Sequence, residues 1–204
     1  MKPQKSMARA NTTAKKATEN APGQVRIISG KWRGRKLPVA NAEGLRPTTD
    51  RVKETVFNWL MHDIDGAVVL DCFAGSGSLA LEALSRHATF ASLVERDTTL
   101  AKTLRQNLER LDCQNAEVIP ADCLQYLQSR ATRQYSVVFI DPPFRKSLAQ
   151  PCCQLLEQQQ WLTAEALIYL ETEKELLLTD LPENWRLLKE KIAGQLAYRL
   201  FVRS

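Results

Sequence analysis

Beyond residue 65 the hydrophobic positions fall in short blocks at 68–73, 90–95, 116–120, 136–141 and 166–171, separated by segments whose apolar residues recur three and four apart. The blocks have the length of strands. Leu100, Leu104, Leu108 and Leu111 share one helical face, and so do Leu148, Cys152, Leu155 and Leu156. Near-continuous apolar strands alternating with amphipathic helices predict βαβ units around a parallel sheet covered on both faces. Towards the end of the chain the rhythm changes. The runs 185–192 and 196–202 are linked only by Ala193, Gly194 and Gln195, too few residues for a parallel crossover, so an antiparallel hairpin is expected there. The expected architecture is a doubly wound, Rossmann-like α/β fold with a seven-stranded, mostly parallel sheet ending in that hairpin.

The first part of the chain has a different texture. Residues 1–22 are polar, rich in Ala, Thr, Asn and Lys, and without apolar period, which predicts a disordered basic tail. Residues 25–39 place β-forming residues on either side of Gly30 and Gly34, the pattern of a short hairpin whose tip carries Lys31, Trp32, Arg33 and Arg35. A helix over 49–61 follows from the spacing of Val52, Val56, Phe57 and Leu60, with Thr49 or Asp50 as its N-cap. The reading therefore has three parts: a tail (1–22), a hairpin and helix (23–62), and a larger α/β unit (63–204).

Composition sharpens this division. The net charge of +5 is unevenly spread: residues 1–53 hold 13 Lys/Arg against 3 Asp/Glu, and the rest 15 against 20. A basic segment on a mildly acidic body points to a polyanionic partner, most simply nucleic acid. We therefore assign Arg26, Lys31, Arg33, Arg35, Lys36, Arg46, Arg51 and Lys53 to phosphate contacts and Trp32 to base stacking. No apolar run is long enough to cross a bilayer, and no apolar stretch follows the charged N-terminus, so a cytoplasmic protein is expected. Five cysteines without a C-x-x-C pair, and two histidines apart from them, predict reduced thiols and no metal site, with Cys152 and Cys153 as small core residues.

The chemistry gathers at the ends of the expected strands. Asp71 precedes a turn with Gly75 and Gly77 and a helix start, an arrangement in which the backbone can approach a ligand closely and present N–H donors. This turn alone would also suit a dinucleotide. Asp71 can engage an amino-acid group, Glu95 at the end of the second strand can accept both ribose hydroxyls, and Asp122 at the end of the third can accept from an adenine amine. Asp122 is equally explained as a helix N-cap. The fourth strand ends in Asp141-Pro142-Pro143-Phe144, where the prolines stop the strand and stiffen a turn. There the Asp141 carboxylate and the Pro142 carbonyl can receive both hydrogens of one planar amine, with Phe144 as a stacking face.

That four-residue motif resembles the Asp/Asn-Pro-Pro-Phe/Tyr signature of class I S-adenosylmethionine-dependent methyltransferases acting on exocyclic amines. With residues 26–37, 46–60 and the segment LDCFAGSGSLALEALSRHA, the chain is similar to the bacterial 16S ribosomal RNA guanine-N2 methyltransferase family from about residue 26 to its end. The resemblance implies S-adenosylmethionine as cofactor on Asp71, Ala74, Gly75, Ser76, Gly77, Glu95, Arg96 and Asp122, with Cys123 lining the adenine end. It implies a target guanine on Asp141, Pro142, Pro143 and Phe144. The partner would be 16S ribosomal RNA, within a small subunit or its assembly intermediate, met by a monomer through direct methyl transfer without metal. Adenine-N6 or glutamine methylation, a non-catalytic RNA-binding role and an NAD-dependent oxidoreductase are the alternatives.

Overall fold

The computed structural model describes residues 23–40 and 48–204. The expected tail over 1–22 and Arg46 lie outside the described residues. A two-stranded sheet pairs β1 (Gly23–Arg26) with β2 (Lys36–Val39) and is followed by α1 (Asp50–Trp59), which Thr49 caps by accepting from the Val52 N–H.

The main body then alternates β3 (Val68–Asp71), α2 (Ser78–Ser85), β4 (Phe90–Val94), α3 (Thr98–Arg110), β5 (Ala116–Ile119), α4 (Cys123–Leu127), β6 (Tyr135–Ile140), α5 (Ala149–Gln158) and β7 (Leu162–Glu173). The chain closes with β8 (Trp185–Ala193) and β9 (Leu196–Arg203). The seven-stranded sheet has the order β5-β4-β3-β6-β7-β9-β8, with β3 to β7 parallel and β9 antiparallel to both neighbours, as the patterning predicts. The order reverses between β3 and β6. At such a switch point successive crossovers leave to opposite faces and open a crevice at the carboxyl ends of the strands.

The period of two in the strands divides the interior. Val69, Val137, Phe139 and Tyr169 enter one core with α2 and α3, while Leu70, Val138, Ile140 and Ile168 enter another with α4 and α5. The N-terminal hairpin and α1 belong to the first core through Val25, Ile27, Leu37, Val39, Val56 and Phe57. Phe57 meets Phe139 edge to face, with ring centroids 6.0 Å apart.

The loop between β1 and β2 is stapled to α2. The Lys31 N–H donates to the Ser85 carbonyl, the Trp32 N–H to Ser85 Oγ and the Ile28 N–H to Glu82 Oε2, at 2.8, 3.0 and 2.8 Å. Gly30 (φ 77°) makes this docking possible, because a Cβ there would stand 1.8 Å from the Ser85 carbonyl oxygen.

β7 departs from the expected 166–171 by starting at Leu162. The added residues Thr163, Ala164 and Glu165 carry no apolar alternation. They form an irregularity opposite Tyr135 to Val137, with Glu165 at φ 58°.

Candidate active site

The turn after β3 runs Cys72 to Gly77 and is tethered to its neighbours: the Cys72 N–H donates to the Phe139 carbonyl and the Ala74 N–H to Val94, at 3.0 and 2.9 Å. Asp71 is only 2 % exposed, and its Oδ2 accepts from the Ala80 N–H of α2 at 3.3 Å. Gly77 (φ 75°) caps α2 without a side chain, and a Cβ on it would lie 2.6 Å from Leu104 of α3. This glycine thus serves the packing of α2 against α3.

Glu95 leaves the end of β4 and closes the turn from the other side. Its Oε2 accepts from the Gly75 N–H at 2.8 Å and its Oε1 from the Asp97 N–H at 2.7 Å, which fixes the carboxylate against the glycine turn. Asp97 caps α3, and Asp122 caps α4 through the Gln125 N–H at 3.2 Å. The N-cap reading of Asp122 holds, and the same residue also lines the adjoining cavity.

That cavity measures about 890 Å³ and spans the switch point. One end is walled by Ala74, Gly75, Ser76, Glu95, Arg96, Asp122 and Cys123, and the other by Asp141, Pro142, Pro143 and Phe144. Thus the residues expected to hold a cofactor and those expected to hold an amine share one cavity. Asp71 and Gly77 stand behind the lining. Pro142 is buried, whereas Phe144, 36 % exposed, offers its ring to solvent at the lip.

Several lining groups were missed in the sequence. Asp97 follows Glu95 as an apparent helix cap and Tyr198 sits in a strand that reads as core, whereas Glu171 closes the expected 166–171 block as Asp71 and Asp141 close theirs. Glu171 Oε2 accepts from the Tyr169 hydroxyl at 2.8 Å, and the Tyr169 and Tyr198 rings stack with centroids 6.5 Å apart. The parallel pairing of β6 with β7 brings Glu171 beside the Asp141 turn, and the pairing of β7 with β9 adds Tyr198.

The acids around this cavity repel one another. Burial, then the charges of Glu171 and Asp71, pushes Asp141 well above the usual carboxylate range. Burial raises Asp71 to about 7, against hydrogen bonds from the Ala80 and Phe73 backbone, with Glu95 and Cys123 adding to the rise. Hydrogen bonds with the Cys152 and Cys72 thiols lower Cys123, while burial raises the other two. The three Sγ atoms lie within 4.8 Å of one another, a grouping that sequence spacing conceals.

The basic segment divides. Lys31, Arg33, Arg35 and Lys36 are exposed on the hairpin, and Arg51 is exposed on the cavity wall. Arg26 is exposed, 3.9 Å from Asp50. Arg35 Nη2 donates to the Arg110 carbonyl at 3.0 Å. Two assignments are corrected. Lys53 is fully buried, donates Nζ to the Arg26 carbonyl and pairs with Asp50 at 3.2 Å, because α1 packs against β1 with this side chain between them. Trp32 is half-buried against the first core with Lys31 Nζ 4.4 Å from its ring centre, so it anchors the loop and is not a free stacking face.

The family described as conserved hypothetical protein 95 matches residues 25–202. The chain is 52 % identical over 190 residues to ribosomal RNA small subunit methyltransferase D of Escherichia coli K12, covering 93 % of this chain and 96 % of that one. It is 54 % identical over 187 residues to the protein of the same name from Haemophilus influenzae, covering 90 % and 96 %. The solved structure of the putative methyltransferase yhhF from Escherichia coli superposes with a TM-score of 0.84 at 50 % identity, covering 89 % of this chain and 98 % of that one. The chain belongs to the conserved hypothetical protein 95 family, alongside relatives named ribosomal RNA small subunit methyltransferase D.

Proposed function

We propose that this chain transfers a methyl group from S-adenosylmethionine to the exocyclic N2 amine of a guanine in small-subunit 16S ribosomal RNA, in the cytoplasm. The carrying observation is the single cavity that runs from Gly75, Glu95 and Asp122 to Asp141–Phe144. Family membership supports methyl transfer to ribosomal RNA. No helix among the described residues is long and apolar enough to cross a membrane.

The residues fit such a cofactor. Glu95 keeps lone pairs free of its two backbone bonds for vicinal hydroxyls, and Gly75 (φ 51°) presents bare backbone beside it. The raised Asp71 and Asp141 describe a site short of positive charge. When bound, S-adenosylmethionine supplies a methyl group on a cationic sulfur.

A cation at this place favours the ionised form of Asp141, which turns its carboxyl from a proton holder into an acceptor for the target amine. The buried Pro142 fixes the turn, so that its carbonyl and the Asp141 carboxylate take one hydrogen each and direct the nitrogen lone pair towards the methyl donor. Positioning of this kind is worth effective molarities of about 10⁵–10⁸ M in well-oriented systems. Asp141 receives the proton released as the amine is methylated. Because a base stacked inside a helix cannot reach the turn, the guanine would lie in a loop or be turned out onto the exposed Phe144 ring. Lys31, Arg33, Arg35, Lys36 and Arg51 would meet the flanking phosphates.

The test is incubation with tritiated methyl donor and separate pools of ribosomal RNA, small subunits and DNA, followed by nucleoside analysis. Label in N2-methylguanosine from the small-subunit pools is expected. Label confined to N6-methyladenine would overturn the substrate assignment.

A further inference from the structure

Three cysteines from distant parts of the chain converge behind the cofactor end of the cavity. Cys72 follows β3, Cys123 opens α4 and Cys152 lies in α5. All three belong to the second core, and their Sγ atoms are mutually within 4.8 Å. Cys72 and Cys123 also line the cavity, whereas Cys152 stands behind them. Among the described residues this is the one group of three or more His, Cys, Asp or Glu side chains with ligand atoms gathered so closely. We propose that Cys72, Cys123 and Cys152 form a thiolate site for one soft, thiophilic cation of the zinc and cadmium class, reached from the cavity.

Geometry supports this before any energetic argument. Zinc–sulfur bonds of about 2.3 Å in a tetrahedral site set the sulfurs about 3.8 Å apart, so the three thiols must draw together by no more than about 1 Å. Side-chain rotation supplies that movement while the backbone stays fixed: the Cys72 N–H is bonded to the Phe139 carbonyl and the Cys152 N–H to Leu148. An all-sulfur set selects soft ions over magnesium or calcium, which take oxygen ligands. Three protein ligands leave a fourth position. With Cys72 and Cys123 at the cavity wall, that position opens towards the cavity, the arrangement of an exchangeable site as distinct from a closed structural one.

Loading proceeds by loss of the thiol protons, with sulfur–metal bonds replacing S–H bonds and no change of oxidation state. Resting on the reading of the cavity given above, occupancy changes the wall at Asp122–Cys123 and so couples to adenosyl ligands, and the coupling is reciprocal.

The experiment titrates Cd(II) into the full-length, reduced, metal-free protein and follows the ultraviolet thiolate-to-cadmium band. Saturation at one ion per chain is expected, with three sulfur neighbours by X-ray absorption. Cys152→Ser, which leaves the cavity lining untouched, should weaken binding by more than about tenfold, the least that loss of even an outer-shell partner costs. Cys113→Ser, in the other core, should not change it. Absence of a saturable band, fewer than three sulfurs, or equal loss in both variants overturns the site. The sulfur count on the unsubstituted protein decides the matter should Cys152→Ser fail to fold. A cadmium affinity indifferent to S-adenosylhomocysteine overturns the coupling alone.

Discussion

The acids around the cavity and the cations of the N-terminal segment meet opposite physical situations. Asp71, buried, and Asp141, half-buried, stand among like charges, and both are driven up from the ordinary carboxylate range. Lys53, buried as Asp71 is, rests on a carbonyl and on Asp50, and the exposed Arg35 reaches the Arg110 carbonyl. A protein tolerates crowded acids where a ligand completes the charge, and it satisfies a buried cation internally where the cation serves the scaffold. The difference teaches that charge by itself does not mark a binding residue. What the charge faces does.

Four measurements would break or sharpen that comparison. The largest effect belongs to Asp141→Asn, which keeps the shape of the turn but loses the proton acceptor. Single-turnover methyl transfer should fall about 10²–10⁴-fold with little change in cofactor affinity; an equal loss of both would place Asp141 in the cofactor site.

Next comes pH. Asp71 holds its proton more tightly folded than unfolded, at about 7 against 3.8. Its contribution is therefore complete below pH 3.8 and fades as pH rises through about 7, by at most about 4 kcal/mol. Asp141 acts with the same sign. Urea midpoints of the ligand-free protein should drop from pH 5 to pH 8, and Asp71→Asn should flatten the drop. A rise in the parent protein would contradict this account.

Lys53→Ala should then cost about 3 kcal/mol, by emptying a buried site and orphaning the Arg26 carbonyl. The folded variant should keep its RNA affinity and salt slope, whereas a reduced slope would return Lys53 to the phosphate contacts.

Smallest in stability are Lys31→Ala, Arg33→Ala and Lys36→Ala, within about 0.5 kcal/mol of the parent. Each lowers the salt slope of RNA binding by about 0.7–0.9. An unchanged slope in all three would remove the hairpin from the RNA-binding surface.

Much of this was legible from residue order. Strand-length apolar blocks, the Gly194 link and the capping pattern at Thr49 specify the sheet, its antiparallel ending and α1, since period and turn chemistry are local properties. The acids at strand ends follow from the same logic, because a parallel sheet gathers its carboxyl termini on one side. The start of β7 escaped, its first residues lacking alternation. So did the burial of Lys53 and the docking of Trp32, which look in sequence like any other basic-aromatic tip.

The linear sequence thus determined where each element begins, which faces are apolar, and that Asp141-Pro142-Pro143-Phe144 ends a strand beyond three acid-tipped ones. Tertiary structure alone decided that Tyr198 joins that turn, that Gly77 serves packing, and that three thiols 51, 29 and 80 residues apart share one place. The physical reason is range: hydrogen-bond periodicity and steric preference act over a few residues, whereas burial, charge repulsion and ligand clustering depend on distances that only the closed sheet creates.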